Sequence, residues 1–201
     1  MIARVDGRAG LLEAKREAEE DVSRAVKGII ADVRARGDEA LIELSRRFDR
    51  AELTAANLCV TADEIATAVK TCPKDVREAL ETAARRIEAY HRRQLPKDES
   101  FTDEIGARLG WRWRALDSVG LYVPGGTASY PSSVLMNAMP ARVAGVARIV
   151  MVTPASGGAI NPLTLVAAHI AGVSEIYRVG GAQAVAALSY GTASIAPVDK
   201  I

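Results

Sequence analysis

The sequence predicts an α/β protein: a helical N-terminal region joined to a Rossmann-like, three-stranded parallel sheet with helical crossovers. Three observations carry this. From Asp117 onward the chain alternates strand and helix three times, the order that builds a parallel sheet with right-handed crossovers and helices on its faces. Charge is uneven: of 26 basic and 25 acidic side chains, only Asp117, Arg142, Arg148, Glu175, Arg178, Asp199 and Lys200 lie between Asp117 and Ile201. A segment so poor in charge must bury most of its surface. Before Asp117 the apolar period is helical, then changes to two near residue 105. A domain boundary at Asp117 divides residues 1–116 from residues 117–201.

In the first part, Val22, Val26, Ile29 and Val33 recur at helical spacing, with Gly37 as a C-cap. A second helix runs through Leu41, Leu44 and Phe48. Thr61-Ala-Asp-Glu64 reads as a capping box opening a helix through Ile65 and Val69. After Pro73, the residues Val76, Leu80, Ala83, Ile87 and Tyr90 mark one face of a long helix; Arg85, Arg86, Glu88, Arg92 and Arg93 form a mixed, solvated face. Ile105, Ala107, Leu109, Trp111, Trp113 and Ala115 then alternate with Gly106, Arg108, Gly110, Arg112 and Arg114, which predicts a half-buried strand or a pair of strands near 105–116. Strict alternation puts Trp and Arg on opposite faces, which argues against single-stranded nucleic acid.

In the second part, Val119–Val123 is an apolar strand followed by Pro124-Gly125-Gly126, and Ser132 or Ser133 caps a helix through Val134, Leu135, Ala138 and Ala141 up to Gly145. Arg148–Thr153 is the next strand; Asn161-Pro162 starts a helix ending at Gly172. Glu175–Val179 is the third strand, and Gly180-Gly181 leads into a helix through Val185 and Leu188. This is half of a doubly wound, nucleotide-binding type of architecture, in which ligands bind beyond the carboxyl ends of the strands. Gly125-Gly126 and Gly180-Gly181 stand at two such ends. They allow close backbone approach to a ligand, or simply make tight turns. The G-x-G-x-x-G fingerprint is absent, and the second strand ends in Thr153-Pro154, with no acid for a ribose hydroxyl.

Net charge is +1, which gives no sign of a nucleic-acid or anionic-membrane surface. No apolar run reaches membrane-span length, and the N-terminus has no apolar segment behind its charges, so a cytoplasmic protein with Cys59 and Cys72 reduced is expected. His91 and His169 have no partner at zinc-ligand spacing. Nucleophile–base pairs, a P-loop and metal-ligand clusters are all missing, so no catalytic and no metal-binding residue is expected.

Val119-Gly-Leu-Tyr-Val-Pro-Gly-Gly126, Pro131-Ser-Ser-Val-Leu-Met-Asn-Ala138 and Arg178-Val-Gly-Gly-Ala-Gln-Ala184 resemble the histidinol dehydrogenase family. So do Arg34-Ala-Arg-Gly-Asp-Glu-Ala40 and the Ser45–Asp49 stretch ending Arg-Phe-Asp. The resemblance covers nearly the whole chain. It implies an aldehyde-dehydrogenase-like architecture and the oxidation of L-histidinol to L-histidine in two NAD-dependent steps, in histidine biosynthesis. It also implies a zinc ion that orients the small-molecule substrate, a Glu–His pair that handles protons, and a homodimer of interlocked subunits. The family's zinc ligands and its Glu–His pair lie beyond the segment that ends at Asp199-Lys-Ile201, so the chain by itself is expected to be the NAD-binding, N-terminal part and to be inactive. What carries over is cofactor binding: Tyr122 and Gln183 match NAD-contacting residues of the family, with Gly125, Gly126 and Gly181 letting backbone approach the same ligand. A non-catalytic binding or assembly module that keeps the fold without the reaction is the alternative.

Overall fold

The computed structural model describes residues 3–125 and 130–201, with side chains from residue 20 onward. A long helix α1 (Ala3–Arg36) is followed by α2 (Asp38–Asp49), α3 (Ala62–Thr71) and α4 (Lys74–Arg92). A hairpin of β1 (Glu99–Thr102) and β2 (Arg108–Trp111) comes next. Then β3 (Ser118–Tyr122), α5 (Pro131–Ala144), β4 (Arg148–Val152), α6 (Pro162–Ala171), β5 (Glu175–Tyr177) and α7 (Gly181–Tyr190) alternate as the sequence predicts.

β3, β4 and β5 pair in that order, both times in parallel, with Val119 opposite Ile149 and Met151 opposite Ile176. After α7 the chain returns to the other side of β3. There Gly120 donates its N–H to the Lys200 carbonyl at 2.8 Å, and Val119 bridges Lys200 in parallel. The strand order therefore reverses at β3, and such a reversal opens a crevice at the carboxyl ends of the strands. The opposite edge, β5, is covered by a segment of the helical region. Val60 donates to the Ile176 carbonyl at 2.8 Å, and Arg178 donates its backbone N–H to the Leu58 carbonyl at 2.9 Å.

Helices cover both faces of the sheet. On one, Val33, Leu41 and Leu44 of α1 and α2 pack with Val150, Val152, Ala187 and Leu188. On the other, Ala68 and Ala84 of α3 and α4 join Leu135, Met139, Ile149, Met151, Val166 and Ile176. This is why the charge-poor segment needs the charged one: the apolar faces of the first four helices are its cover.

Three local expectations need correction. Of the half-buried strand or pair of strands expected near 105–116, the structure has a pair, but it begins earlier, at Glu99, and is not half-buried. Only Arg108–Trp111 is extended there, its partner β1 lies at 99–102, and every residue of both strands is exposed. Ile105, 90% exposed, sits in the turn, where the Asp103 carboxylate accepts N–H bonds from Ile105 and Ala107. Helix α5 is not capped by Ser132 or Ser133. Tyr130 holds the cap position and Pro131 opens the helix, because a proline's fixed φ and missing N–H suit the first helical residue. The strand bounds also differ: β3 is shifted one residue toward the N-terminus and ends at Tyr122, while β4 ends at Val152 and β5 at Tyr177, short of the Thr153 and Val179 expected.

Other local readings hold. Thr61 Oγ1 accepts the Glu64 N–H while the Glu64 carboxylate accepts the Thr61 N–H, a complete capping box. Gly37 takes a positive φ between α1 and α2. Asn161 caps α6 through the Leu163 N–H at 2.9 Å.

Candidate functional site

The loops that leave β3, β4 and β5 meet over Pro154. A Cβ on Gly125 would lie 2.5 Å from the Pro154 carbonyl oxygen, and one on Gly180 would lie 2.6 Å from the Pro154 Cβ. Glycine is required at both places by loop-to-loop packing, so tight turns are part of what these residues do. Gly126 lies outside the described residues.

Tyr122, the last residue of β3, is 36% exposed. Its hydroxyl oxygen accepts the Gly181 N–H at 3.0 Å, which satisfies one of the free donors at the start of α7. Gly181 has φ +62°, and the Gln183 side chain folds back beneath it: a Cβ on Gly181 would meet Gln183 Oε1 at 2.5 Å. Gln183 is 1% exposed, and its Nε2 has no hydrogen-bond partner among the described residues. The structure thus brings Tyr122, Gly181 and Gln183 together at one helix N-terminus, with Gly125 on the neighbouring loop. Tyr122 reaches solvent; Gln183 does not, and it keeps an unused donor. A buried amide nitrogen without an acceptor is costly, and such groups concentrate where a ligand completes the set.

Two adjoining clefts open on this edge. One of about 130 Å3 is lined by residues of the loops after β3 and β4, among them Gly125, Pro154, Ser156 and Asn161. The other, about 400 Å3, shares Gly125, Pro154 and Ser156 and is closed by Phe48, Asp49 and Arg50 from the end of α2. Sequence reasoning did not reach these three as site residues; Phe48 entered as a residue of the second helix, and Phe48 and Asp49 within a family likeness. Burial pushes the Asp49 carboxyl above its ordinary range. Behind the site, the Arg178 guanidinium donates to the carbonyls of Asn57 at 2.8 Å and Cys59 at 3.0 Å and pairs with Glu64. The Glu64 carboxyl is held below its usual range, first by the Thr61 N–H and then by Arg178.

The histidines lie elsewhere. His91 Nδ1 is 2.6 Å from Gln94 Oε1, and His169 is exposed on α6. Among the described residues no three His, Cys, Asp or Glu side chains gather as a metal site, and no helix is long and apolar enough to cross a membrane. Cys59 and Cys72 are both free thiols.

The family model for histidinol dehydrogenase matches residues 12–201. The chain belongs to the histidinol dehydrogenase family. It is 63% identical over 191 residues to a histidinol dehydrogenase of Ruegeria pomeroyi, covering 95% of this chain and 44% of that protein. Against that of Agrobacterium fabrum it is 63% identical over 193 residues, covering 96% and 45%. The crystal structure of histidinol dehydrogenase from Elizabethkingia anophelis superposes with a TM-score of 0.85 at 34% identity, over 90% of this chain and 41% of that one. The chain spans under half the length of the curated relatives it matches.

Proposed function

We propose that this chain is the NAD-holding part of an enzyme that oxidises L-histidinol to L-histidine, in which residues 117–201 form the cofactor-binding sheet and Tyr122 and Gln183 contact the dinucleotide. The observation that carries the reading is the Gln183 amide: buried, with an unused Nε2, beside Tyr122 and the N-terminus of α7 at the reversal point of a parallel sheet. Helix N-termini at this position favour anions such as a pyrophosphate. Tyr122 offers a ring face and a hydroxyl to a ribose or base, and Gln183 offers a donor once a ligand displaces it from beneath Gly181. Gly125 lets the backbone come close without a side chain in the way.

When bound, NAD supplies the hydride acceptor for alcohol and aldehyde oxidation. This chain's own part is to bind and orient that acceptor, and to keep the crevice walled by Phe48 and Pro154. The described residues do not fit a zinc ion, so no step is assigned to one here. Zinc, substrate contacts, proton transfer and the second subunit of a cytoplasmic homodimer belong, on this reading, to the complete enzyme.

The test is NAD titration of the intact gene product, comparing the wild type with Tyr122→Ala and Gln183→Ala. Each substitution is expected to weaken NAD binding by about ten-fold and to raise the apparent KM for NAD. If neither changes the affinity, the assignment is wrong.

A further inference from the structure

We infer that Asp49, at the carboxyl end of α2, is the ribose-recognising acid of the cleft, accepting a hydrogen bond from a ribose hydroxyl of the dinucleotide, with the Arg50 guanidinium alongside for its phosphates. The inference rests on the cofactor reading above and extends it to the helical part of the chain.

Position comes first. Asp49 and Arg50 wall the 400 Å3 cleft opposite Gly125, Pro154 and Ser156, on the edge where open parallel sheets bind dinucleotides. Such sheets usually place a carboxylate at the end of the second strand to hold a ribose hydroxyl. Here β4 runs out into Thr153-Pro154, which offers none. The acid that faces the same space comes from α2 instead.

Second, the fold makes no use of Asp49. Its Oδ2 is buried and has no hydrogen-bond partner among the described residues. It is the last residue of its helix, where the dipole disfavours an anion. The nearby cations are engaged elsewhere: Arg46 pairs with Glu52 at 3.0 Å, and Arg47 stacks over the Phe48 ring. An acid that no dipole, ion pair or hydrogen bond supports among the described residues costs stability. Ser45 Oγ is also buried without a partner among the described residues, but it lines neither cleft, whereas Asp49 lines the larger one, where a ligand can supply the missing donor.

Third, the backbone is held in an unusual state at the same point. Arg50 has φ 53°, the one positive φ outside glycine among the described residues. It caps α2 by donating its N–H to the Ser45 carbonyl. A left-handed residue commonly ends a helix, but glycine usually holds that place, and a non-glycine there carries backbone strain. Holding Arg50 there fixes the direction in which both Asp49 and Arg50 leave the helix. The resulting set offers a carboxylate for a hydroxyl, a guanidinium for a phosphate, an aromatic ring and a serine hydroxyl, groups of the kinds that bind a nucleotide.

A dinucleotide carries two riboses, and the experiment distinguishes them. The intact gene product is titrated by calorimetry with NAD, AMP and nicotinamide mononucleotide, as wild type, Asp49→Asn and Gln183→Ala, and each variant is melted. Asp49→Asn keeps the shape and removes the charge. It should weaken NAD binding about ten-fold or more and weaken one mononucleotide, the one whose ribose Asp49 holds, while sparing the other. The melting temperature should stay level or rise, because an unsupported carboxylate is gone. If Asp49→Asn binds NAD within two-fold of wild type while Gln183→Ala is impaired, Asp49 is idle and the cofactor reading stands. If affinity and melting temperature fall together, Asp49 is structural and the inference fails. A wild-type protein that binds no NAD overturns both.

Discussion

Arg178→Met tests how the helical region is fastened to the sheet. Arg178 is 8% exposed and follows β5 directly. Its guanidinium holds two carbonyls, Asn57 and Cys59, and pairs with Glu64, so one side chain joins the β5 edge to the segment before α3. Methionine fills much of the same volume but donates nothing. The magnitude follows from what each partner loses. Asn57 is exposed and its carbonyl can turn to water, whereas Cys59 is half-buried and its carbonyl is harder to satisfy. An unsatisfied buried acceptor costs about 1–3 kcal/mol. The Glu64 side chain is 46% exposed and recovers solvent, so its share is below about 1 kcal/mol. The expected loss is about 2–3 kcal/mol, which for a chain of this size lowers Tm by roughly 4–12 °C. Urea unfolding at neutral pH measures it, with Glu64→Gln as the control expected to lose under about 1 kcal/mol. A loss below about 1 kcal/mol for Arg178→Met, or one no larger than that of Glu64→Gln, would refute the fastening argument.

The Glu64 carboxyl also gives the pH dependence its sign. Its pKa is lowered on folding, so its contribution is present above the unfolded value of 4.5 and is lost as pH falls through the lower folded value; urea midpoints should drop in acid and drop less in Glu64→Gln. Gly125→Ala forces a Cβ to within 2.5 Å of the Pro154 carbonyl oxygen, so the loops must part at a cost of about 1–3 kcal/mol, read as a lower Tm together with weaker NAD binding. Tyr122→Phe leaves the Gly181 N–H without its acceptor and should cost about 0.5–1.5 kcal/mol in urea unfolding. The 201-residue chain alone should make no NADH from L-histidinol and hold no stoichiometric zinc, checked by absorbance at the NADH band and by metal analysis; turnover or one tightly held zinc per chain would contradict the assignment of residues made here.

What the sequence showed and what it hid separate along one physical line. Alternating strands and helices, the Thr61–Glu64 box, Gly37, Gly145 and Gly172 are local signals, because the atoms that satisfy them lie within a few residues. All of these appear where the pattern puts them. The Trp and Arg alternation near residue 110 was local too, but it carried less than it seemed to. A period of two says that the two faces of a strand differ; it does not say that either face is covered. The cover must come from another part of the chain, and among the described residues none covers β1 or β2. The site obeys the same rule. Tyr122 and Gln183 were singled out through the family resemblance, on motifs at a strand end and a helix start, whereas the phenol-to-Gly181 contact spans 59 residues. Asp49 was invisible as a site residue for a stronger reason. Its neighbours in the cleft, Gly125, Pro154 and Ser156, lie far along the chain, and the residue types around position 49 read as those of an ordinary helix end. Only the folded chain exposes the anomaly, a carboxylate oxygen buried against the dipole of its own helix with no hydrogen-bond partner among the described residues. A residue whose local environment argues against it, on the wall of a cleft at the carboxyl ends of a parallel sheet, is where that cleft has to be probed first.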